Sequence, residues 1–269
     1  MTKPRTYQAG NNPMNAYALR DPLSAINGSI ERARTLSEFY RPRLPQRPLG
    51  NLQEVTELPF TSEADIRRFG LNMLCASPAE IPRIITLFTS GTTESPKRVY
   101  YSEYDLELTV KFFRTGMQCV VSGNDRVHCM FPGKTTASIG DLLAQALRVI
   151  PIEVVSSIAD ATCVVCSPQQ ALELNAAALP DLRKFLLTSE YVSDACRATL
   201  HERFDCEIYE HYGMRETGLG FAVSCAPDVD FYHIRERDLY VEVIDPDTLQ
   251  TVSDGTIGEV VFTTLIRGA

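Results

Sequence analysis

At 269 residues the chain is long enough for a large core or two sub-domains, and 44% hydrophobic with 22% charged residues is ordinary for a globular protein. A net charge of −8 argues against nucleic acid as the main partner, because phosphate-backbone binding is driven by an excess of Lys and Arg. No apolar run approaches the roughly 18 residues of a membrane span. The N-terminal stretch Met1–Tyr7 carries charge with no apolar core after it. Neither a membrane partner nor a secretory signal is therefore expected, and a cytoplasmic location follows by default.

Residues 1–29 show no clear periodicity, and Asn11-Asn12-Pro13 and Asn27-Gly28 read as turns. A short helix is predicted from Ile30 to Leu44, broken by Pro45 and Pro48. Thr61 or Ser62 can cap a second helix whose first turn holds Glu63 and Asp65. Ile84-Ile85 reads as a buried strand, and Arg98–Tyr101 as the strand that closes a hairpin with it. Ser102 is an N-cap, and Leu106, Val110, Phe113, Met117 and Val120–Val121 follow at helical spacing. Strand-like runs at 127–131, 149–155, 161–166, 185–188 and 207–209 then alternate with helical stretches opened by Ser138, Ser167-Pro168 and Asp194. This alternation predicts an α/β fold, a layered and mostly parallel sheet with flanking helices. After Cys225 the period drops to two at 239–245 and 258–264, which predicts a small antiparallel β sub-domain.

The eight cysteines, Cys75, Cys119, Cys129, Cys163, Cys166, Cys196, Cys206 and Cys225, are expected as reduced thiols. Cys163-Val164-Val165-Cys166 lies in an apolar strand, where residues three apart point to opposite faces, so both thiols are expected in the core.

Between the two hairpin strands runs Leu87-Phe88-Thr89-Ser90-Gly91-Thr92-Thr93-Glu94-Ser95-Pro96-Lys97. Five residues from Thr89 to Ser95 carry hydroxyls, and Lys97 adds one fixed positive charge. Backbone N–H groups, O–H donors and an ammonium together suit a polyphosphate. The stretch is not the common P-loop, which has a second Gly directly before Lys and Ser or Thr directly after it. The same residue types also suit a polar surface turn. Ligands of open α/β sheets bind at the carboxyl edges of strands. Three loops fit that place: Thr89–Lys97, Thr188–Val192 and His211–Gly218.

A second stretch narrows the reading: Glu207-Ile208-Tyr209-Glu210-His211-Tyr212-Gly213-Met214-Arg215-Glu216-Thr217-Gly218. The two stretches together resemble the signature loops of the adenylate-forming superfamily of AMP-binding enzymes and acyl-CoA synthetases, nearest to its phenylacetate–CoA ligase-like branch. Leu58-Pro59-Phe60-Thr61 is similar to the segment that leads into the nucleotide domain of that branch. The resemblance runs from about Ile30 to Ala269. It implies that Ser90, Gly91, Thr92, Thr93 and Lys97 grip ATP phosphates, and that Ser189-Glu190-Tyr191 matches a short Gly-Glu loop along the adenine. It further implies that His211, Tyr212, Gly213, Arg215 and Glu216 belong to the nucleotide site. Tyr212 would stack on adenine, Glu216 would bind Mg2+, and Lys97 and Glu216 would serve catalysis. The departures are Glu94 and Ser189, each standing where the family has Gly, and Arg215, standing where it often has Thr. The acyl pocket would use Phe131–Gly140, where Lys134 and Thr135-Thr136 suggest an acid more polar than the aromatic one of the branch. Cys206, Cys225 and His233 could make a Zn2+ site, but Cys225-x7-His233 is not a standard finger and ordinary structural roles are preferred.

The implied function is ATP-dependent activation of an aryl or acyl carboxylic acid as an acyl-adenylate, followed by thioester formation with coenzyme A. The implied division is a helical lead-in over 1–80, a nucleotide-binding α/β sub-domain over 81–222 and the antiparallel β sub-domain over 223–269. In the family, a ribose-binding Asp, a hinge and a C-terminal domain with a catalytic Lys follow the segment matching Phe262–Ala269. The chain is therefore expected to be the large part of such an enzyme, weak or inactive alone, completed by a separate C-terminal chain or paired as a homodimer. The rival expectation is a catalytically idle nucleotide-binding or assembly module that keeps the fold.

Overall fold

In the computed structural model the described residues are 13–87 and 96–269. In chain order the helices are α1 (Pro22–Leu36), α2 (Glu63–Phe69), α3 (Glu103–Val120), α4 (Ile139–Leu147), α5 (Pro168–Glu173) and α6 (Asp194–Phe204). The strands are β1 (Arg83–Leu87), β2 (Lys97–Tyr101), β3 (Arg126–Cys129), β4 (Glu153–Val154), β5 (Cys163–Cys166), β6 (Lys184–Leu187), β7 (Glu207–Tyr212), β8 (Ala222–Val223), β9 (His233–Ile234), β10 (Leu239–Ile244) and β11 (Glu259–Thr264). The elements gather into two compact units, each built from separate stretches. The first takes described residues 13–18, 111–212 and 222–234; the second takes 19–87, 96–110, 213–221 and 235–269.

The first unit is the layered α/β body expected from the alternation. Its seven strands run in the order β4-β3-β5-β6-β7-β8-β9. The pairs from β4 to β7 are parallel, with Val164 level with Phe185 and Leu186 level with Tyr209. β8 and β9, which no periodicity announced, continue the sheet antiparallel. All of β5 is buried, so both Cys163 and Cys166 are core residues, and burial pushes the Cys163 thiol up to about 12. Such thiols stay protonated and inert. Leu200 and Cys196 of α6 pack with Phe185, Leu187 and Ile208 in one cluster. Ser193 caps α6 through the Cys196 amide at 3.2 Å, and Ser138 caps α4 through the Asp141 amide. Gly140 is required at the start of α4, because a Cβ there would land on the carbonyl oxygens of Phe131 and Pro132.

The second unit is built on α1, whose Ile26 and Ile30 pack with Leu49, Val55 and Leu265. The helix expected over 30–44 in fact spans Pro22–Leu36. Asp21 accepts from the Ser24 amide at 3.1 Å and Pro22 occupies the first turn, a start signal that the Asn27-Gly28 pair obscured. Asn27 does not turn the chain. Its side chain accepts from the Leu49 amide at 2.8 Å and donates to the Leu49 carbonyl at 3.1 Å, so a turn-type residue serves as a cross-brace. Ser62 caps α2 in a reciprocal capping box with Asp65. β1 and β2 form the expected antiparallel hairpin, with Leu87 level with Lys97. It is a separate two-stranded sheet, and Ile84 is exposed rather than buried. The expected period-two strands are β10 and β11, paired antiparallel from Leu239–Thr264 to Ile244–Glu259.

Candidate functional site

Lys97 is the first residue of β2, so the hairpin register fixes where its side chain leaves the backbone. Its Nζ lies 2.6 Å from Oε1 of Glu216 and 3.6 Å from Oε1 of Glu63. These residues lie far apart in sequence, and the fold brings the two family motifs into one ion pair within the second unit. Glu63, in the first turn of α2, also accepts from Arg67 at 2.6 Å. The Arg67 hydrogen bond, and then the Lys97 charge, hold the Glu63 carboxyl below the usual carboxylate range. Ser90, Gly91, Thr92, Thr93 and Glu94 lie outside the described residues. Their loop joins the strands of the separate hairpin, so of the three expected loops only 188–192 and the start of 211–218 leave the carboxyl ends of parallel strands, β6 and β7.

The backbone around Glu216 is held by side chains. The Tyr101 hydroxyl donates to the Arg215 carbonyl at 2.6 Å, and Arg267 donates to the carbonyls of Glu216 and Tyr100, each at 2.6 Å. Thr109 donates to the Gly218 carbonyl at 2.8 Å, and Arg235 to those of Thr217 and Gly220 at 3.4 and 3.3 Å. Gly218 has a φ of 76°, a left-handed turn that favours glycine. Arg235 is buried and paired with the equally buried Asp238, its Nε donating to Oδ2 at 3.0 Å. Buried Asp105 accepts from Ser102, the N-cap of α3, and from the amides of Gly268 and Ala269 at 2.8 and 3.0 Å. None of Tyr101, Asp105, Thr109, Arg235 and Arg267 stood out in the sequence, because each acts mainly on peptide groups. The spacing Arg235-x-x-Asp238 just before a strand was the one available signal.

In the first unit, Thr188 follows β6 and its hydroxyl sits 2.8 Å from Nδ1 of His211. The His211 ring packs 5.8 and 5.7 Å from those of Phe112 and Phe113 on α3. His211 thus faces the helix, while Glu210 and Tyr212 take the other face, since successive strand residues alternate. Ser189 adopts a φ of 76°, the conformation that suits the family's Gly at this place. Ser189, Glu190 and Tyr191 are all exposed, Tyr191 at 87%, and Tyr212 is 44% exposed at the end of β7. In the segment 131–140, Lys134, Thr135 and Thr136 are exposed, and the left-handed Ala137 donates its amide to Asp141 at 2.7 Å.

The Zn2+ alternative finds no support. Cys206 lies in the core cluster with its thiol pushed up to about 12 by burial, the Cys225 thiol donates to the Val223 carbonyl at 3.8 Å, and His233 pairs with Val223 in the sheet. Among the described residues no group of three or more His, Cys, Asp or Glu is placed to hold a metal ion. For Mg2+ the chemistry fits, because that ion takes one or two carboxylates and completes its shell with phosphate oxygens and water. Glu216 is such a carboxylate, partly open to solvent beside the Lys97 ammonium. Among the described residues no helix is long and apolar enough to cross a membrane.

The sequence profile described as AMP-binding enzyme matches residues 74–266. Phenylacetate-coenzyme A ligase of Pseudomonas putida is 26% identical over 278 aligned residues, covering 92% of this chain and 62% of that protein. The enzyme of the same name from Thermus thermophilus is 26% identical, covering 86% of this chain and 58% of that protein. The chain thus spans about three fifths of the length of these curated relatives. In fold it is similar to 2-hydroxyisobutyryl-CoA ligase, solved in an open conformation with 2-HIB-AMP and CoA, at a TM-score of 0.77 and 14% identity over 92% of this chain and 61% of that one. The two motifs, the mostly parallel sheet and these matches agree, and the chain belongs to the AMP-binding enzyme family.

Proposed function

We propose that the chain takes part in ATP-dependent activation of a small carboxylic acid as an acyl-adenylate, with coenzyme A as the acceptor that then forms the thioester. The observation that carries this reading is the 2.6 Å pair of Lys97 and Glu216, one residue from each of two signature loops. The relatives named phenylacetate-coenzyme A ligase and the fold shared with a CoA ligase support it. The substrate carboxylate attacks the α-phosphate of ATP and pyrophosphate leaves. Catalysis of this kind is mostly positioning and charge stabilisation.

In this reading Lys97 directs its ammonium to the outer phosphates, exchanging a carboxylate partner for a phosphate one. Mg2+, when bound, supplies charge neutralisation on the phosphates, and Glu216 is the residue that would hold it. The clamp of Tyr101, Thr109, Arg235 and Arg267 keeps the Glu216 backbone in place. Tyr212 offers an aromatic face to adenine, with Ser189, Glu190 and Tyr191 beside it in the same unit. Arg215 can pair with a phosphate. The exposed Lys134 and Thr pair favour an acid with polar substituents over a bare aromatic ring.

Carboxylate-dependent ATP–pyrophosphate exchange tests the proposal, run over a panel of aryl and acyl acids. It is measured on the 269-residue chain alone and with the C-terminal region of a relative supplied in trans. Exchange that needs both an acid and magnesium supports activation. AMP binding without exchange under either condition supports the second reading, an idle nucleotide-binding module. One observation favours that alternative: Lys97 is already engaged by two carboxylates, Glu216 and Glu63.

A further inference from the structure

The last strands of the first unit carry a polar cluster that the scheme above does not use. Glu210, 7% exposed, precedes Tyr212 by two residues on β7 and shares its sheet face. Its amide donates to the Ser224 hydroxyl at 2.8 Å, and the Ser224 amide returns a bond to its carbonyl at 2.8 Å. One carboxylate oxygen pairs with Arg197 of α6. The other accepts from the Tyr232 hydroxyl at 2.5 Å. A buried carboxylate with both oxygens engaged is a fixed anchor rather than a ligand group. The ring that it anchors lies beside Tyr212, with centroids 6.4 Å apart and planes at 49°, within the range of favourable aromatic pairs.

The same arrangement accounts for an otherwise odd exposure. Tyr232 is 40% exposed, yet its phenol is tied to the interior, so the ring stands at the surface without freedom to swing away. A single exposed tyrosine explores several rotamers, whereas one bonded at its tip to a buried ion pair does not.

We infer that Tyr232 is a positioning residue for Tyr212: anchored on Glu210 and Arg197, it is the wall against which the Tyr212 ring is held flat for a purine. The inference rests on reading Tyr212 as the adenine platform. Tyr232 acts through Tyr212 and supplies no chemistry of its own.

A double-mutant cycle read by AMP calorimetry tests it. Tyr232→Leu removes ring and anchor, and Tyr232→Phe removes the anchor alone. Tyr232→Leu should weaken AMP binding about three- to tenfold, the worth of one aromatic pair. That loss should vanish in a Tyr212→Ala background, and Tyr232→Phe should fall between Leu and the unaltered chain. A loss of the same size with Tyr212→Ala present, or no loss at all, overturns the inference. A second measurement needs no nucleotide. In chain labelled with 13C-tyrosine, Tyr232→Leu should shift and broaden the Tyr212 ring resonances, and unmoved resonances overturn the positioning role. If those resonances move but the unaltered chain binds no AMP, the contact stands and the nucleotide reading of Tyr212 fails.

Discussion

Tyr212 and Glu216 sit four residues apart in one loop, yet the chain fixes them by different means. Tyr212 ends a strand inside a seven-stranded sheet, and its direction follows from register and alternation. Glu216 lies in a segment with no sheet partner, where side chains reach in to bond the carbonyls of Arg215, Glu216, Thr217, Gly218 and Gly220. The boundary between the two compact units falls between Tyr212 and Gly213. The direction of an exposed aromatic side chain therefore comes from regular backbone pairing, and that of a charged one from a custom set of donors. The backbone course of the first kind tolerates substitution of its neighbours, because backbone hydrogen bonds do not depend on side-chain identity, and only the Tyr212 ring leans on a side chain, that of Tyr232. The second kind does not, because each donor is one particular residue.

The sharpest way to break this contrast is to remove a donor's own support. Asp238→Asn removes the carboxylate charge that pairs with the buried Arg235 guanidinium, and should cost about 3–5 kcal/mol of stability in urea unfolding. A loss below about 1 kcal/mol would mean that the Glu216 segment holds itself and the contrast is false.

Next in size is Lys97→Ala, which removes the ammonium facing Glu216. Acid-dependent ATP–pyrophosphate exchange should fall about 100-fold or more, as for loss of one preorganised charge stabiliser. AMP affinity should change little, since AMP lacks the outer phosphates. Equal weakening of AMP and ATP would make Lys97 a structural member of the hairpin instead.

On the sheet side the effects should be smaller. Tyr212→Ala should cost about 1–3 kcal/mol of AMP affinity by calorimetry, the range for a base on an aromatic face. His211→Asn, on the opposite face against Phe112 and Phe113, should alter melting temperature while AMP affinity holds. The reverse pattern would place His211 rather than Tyr212 in the site.

The smallest effect is expected at Ser189. Its φ of 76° strains an L-residue, so Ser189→Gly should raise stability by about 0.5–1 kcal/mol after the entropy of glycine is counted. Thermal unfolding checks this, and a loss of stability would show that the Ser189 side chain is bonded more tightly than its exposure implies.

Some of the molecule follows from the sequence by itself, for a local reason. Ser62, Ser102, Ser138 and Ser193 cap helices through amides three residues away, and alternation along 207–212 and 239–244 needs only neighbours. The hairpin around the hydroxyl-rich loop and the mostly parallel sheet were legible on those terms, and the two signature loops through their resemblance to a known family. Tertiary structure alone decided the rest. Whether Asn27 turns the chain or braces Leu49 depends on a residue 22 positions on. Nothing near Arg215 announces that the Tyr101 hydroxyl, 114 positions away, holds its carbonyl. The alternation that sends His211 and Tyr212 to opposite faces was written in the chain, but which face meets α3 was not. Peptide groups carry no identity, so a sequence cannot mark which of them a distant Arg, Tyr or Thr will bind. That choice is made only when the fold brings donor and carbonyl to within about 3 Å of each other.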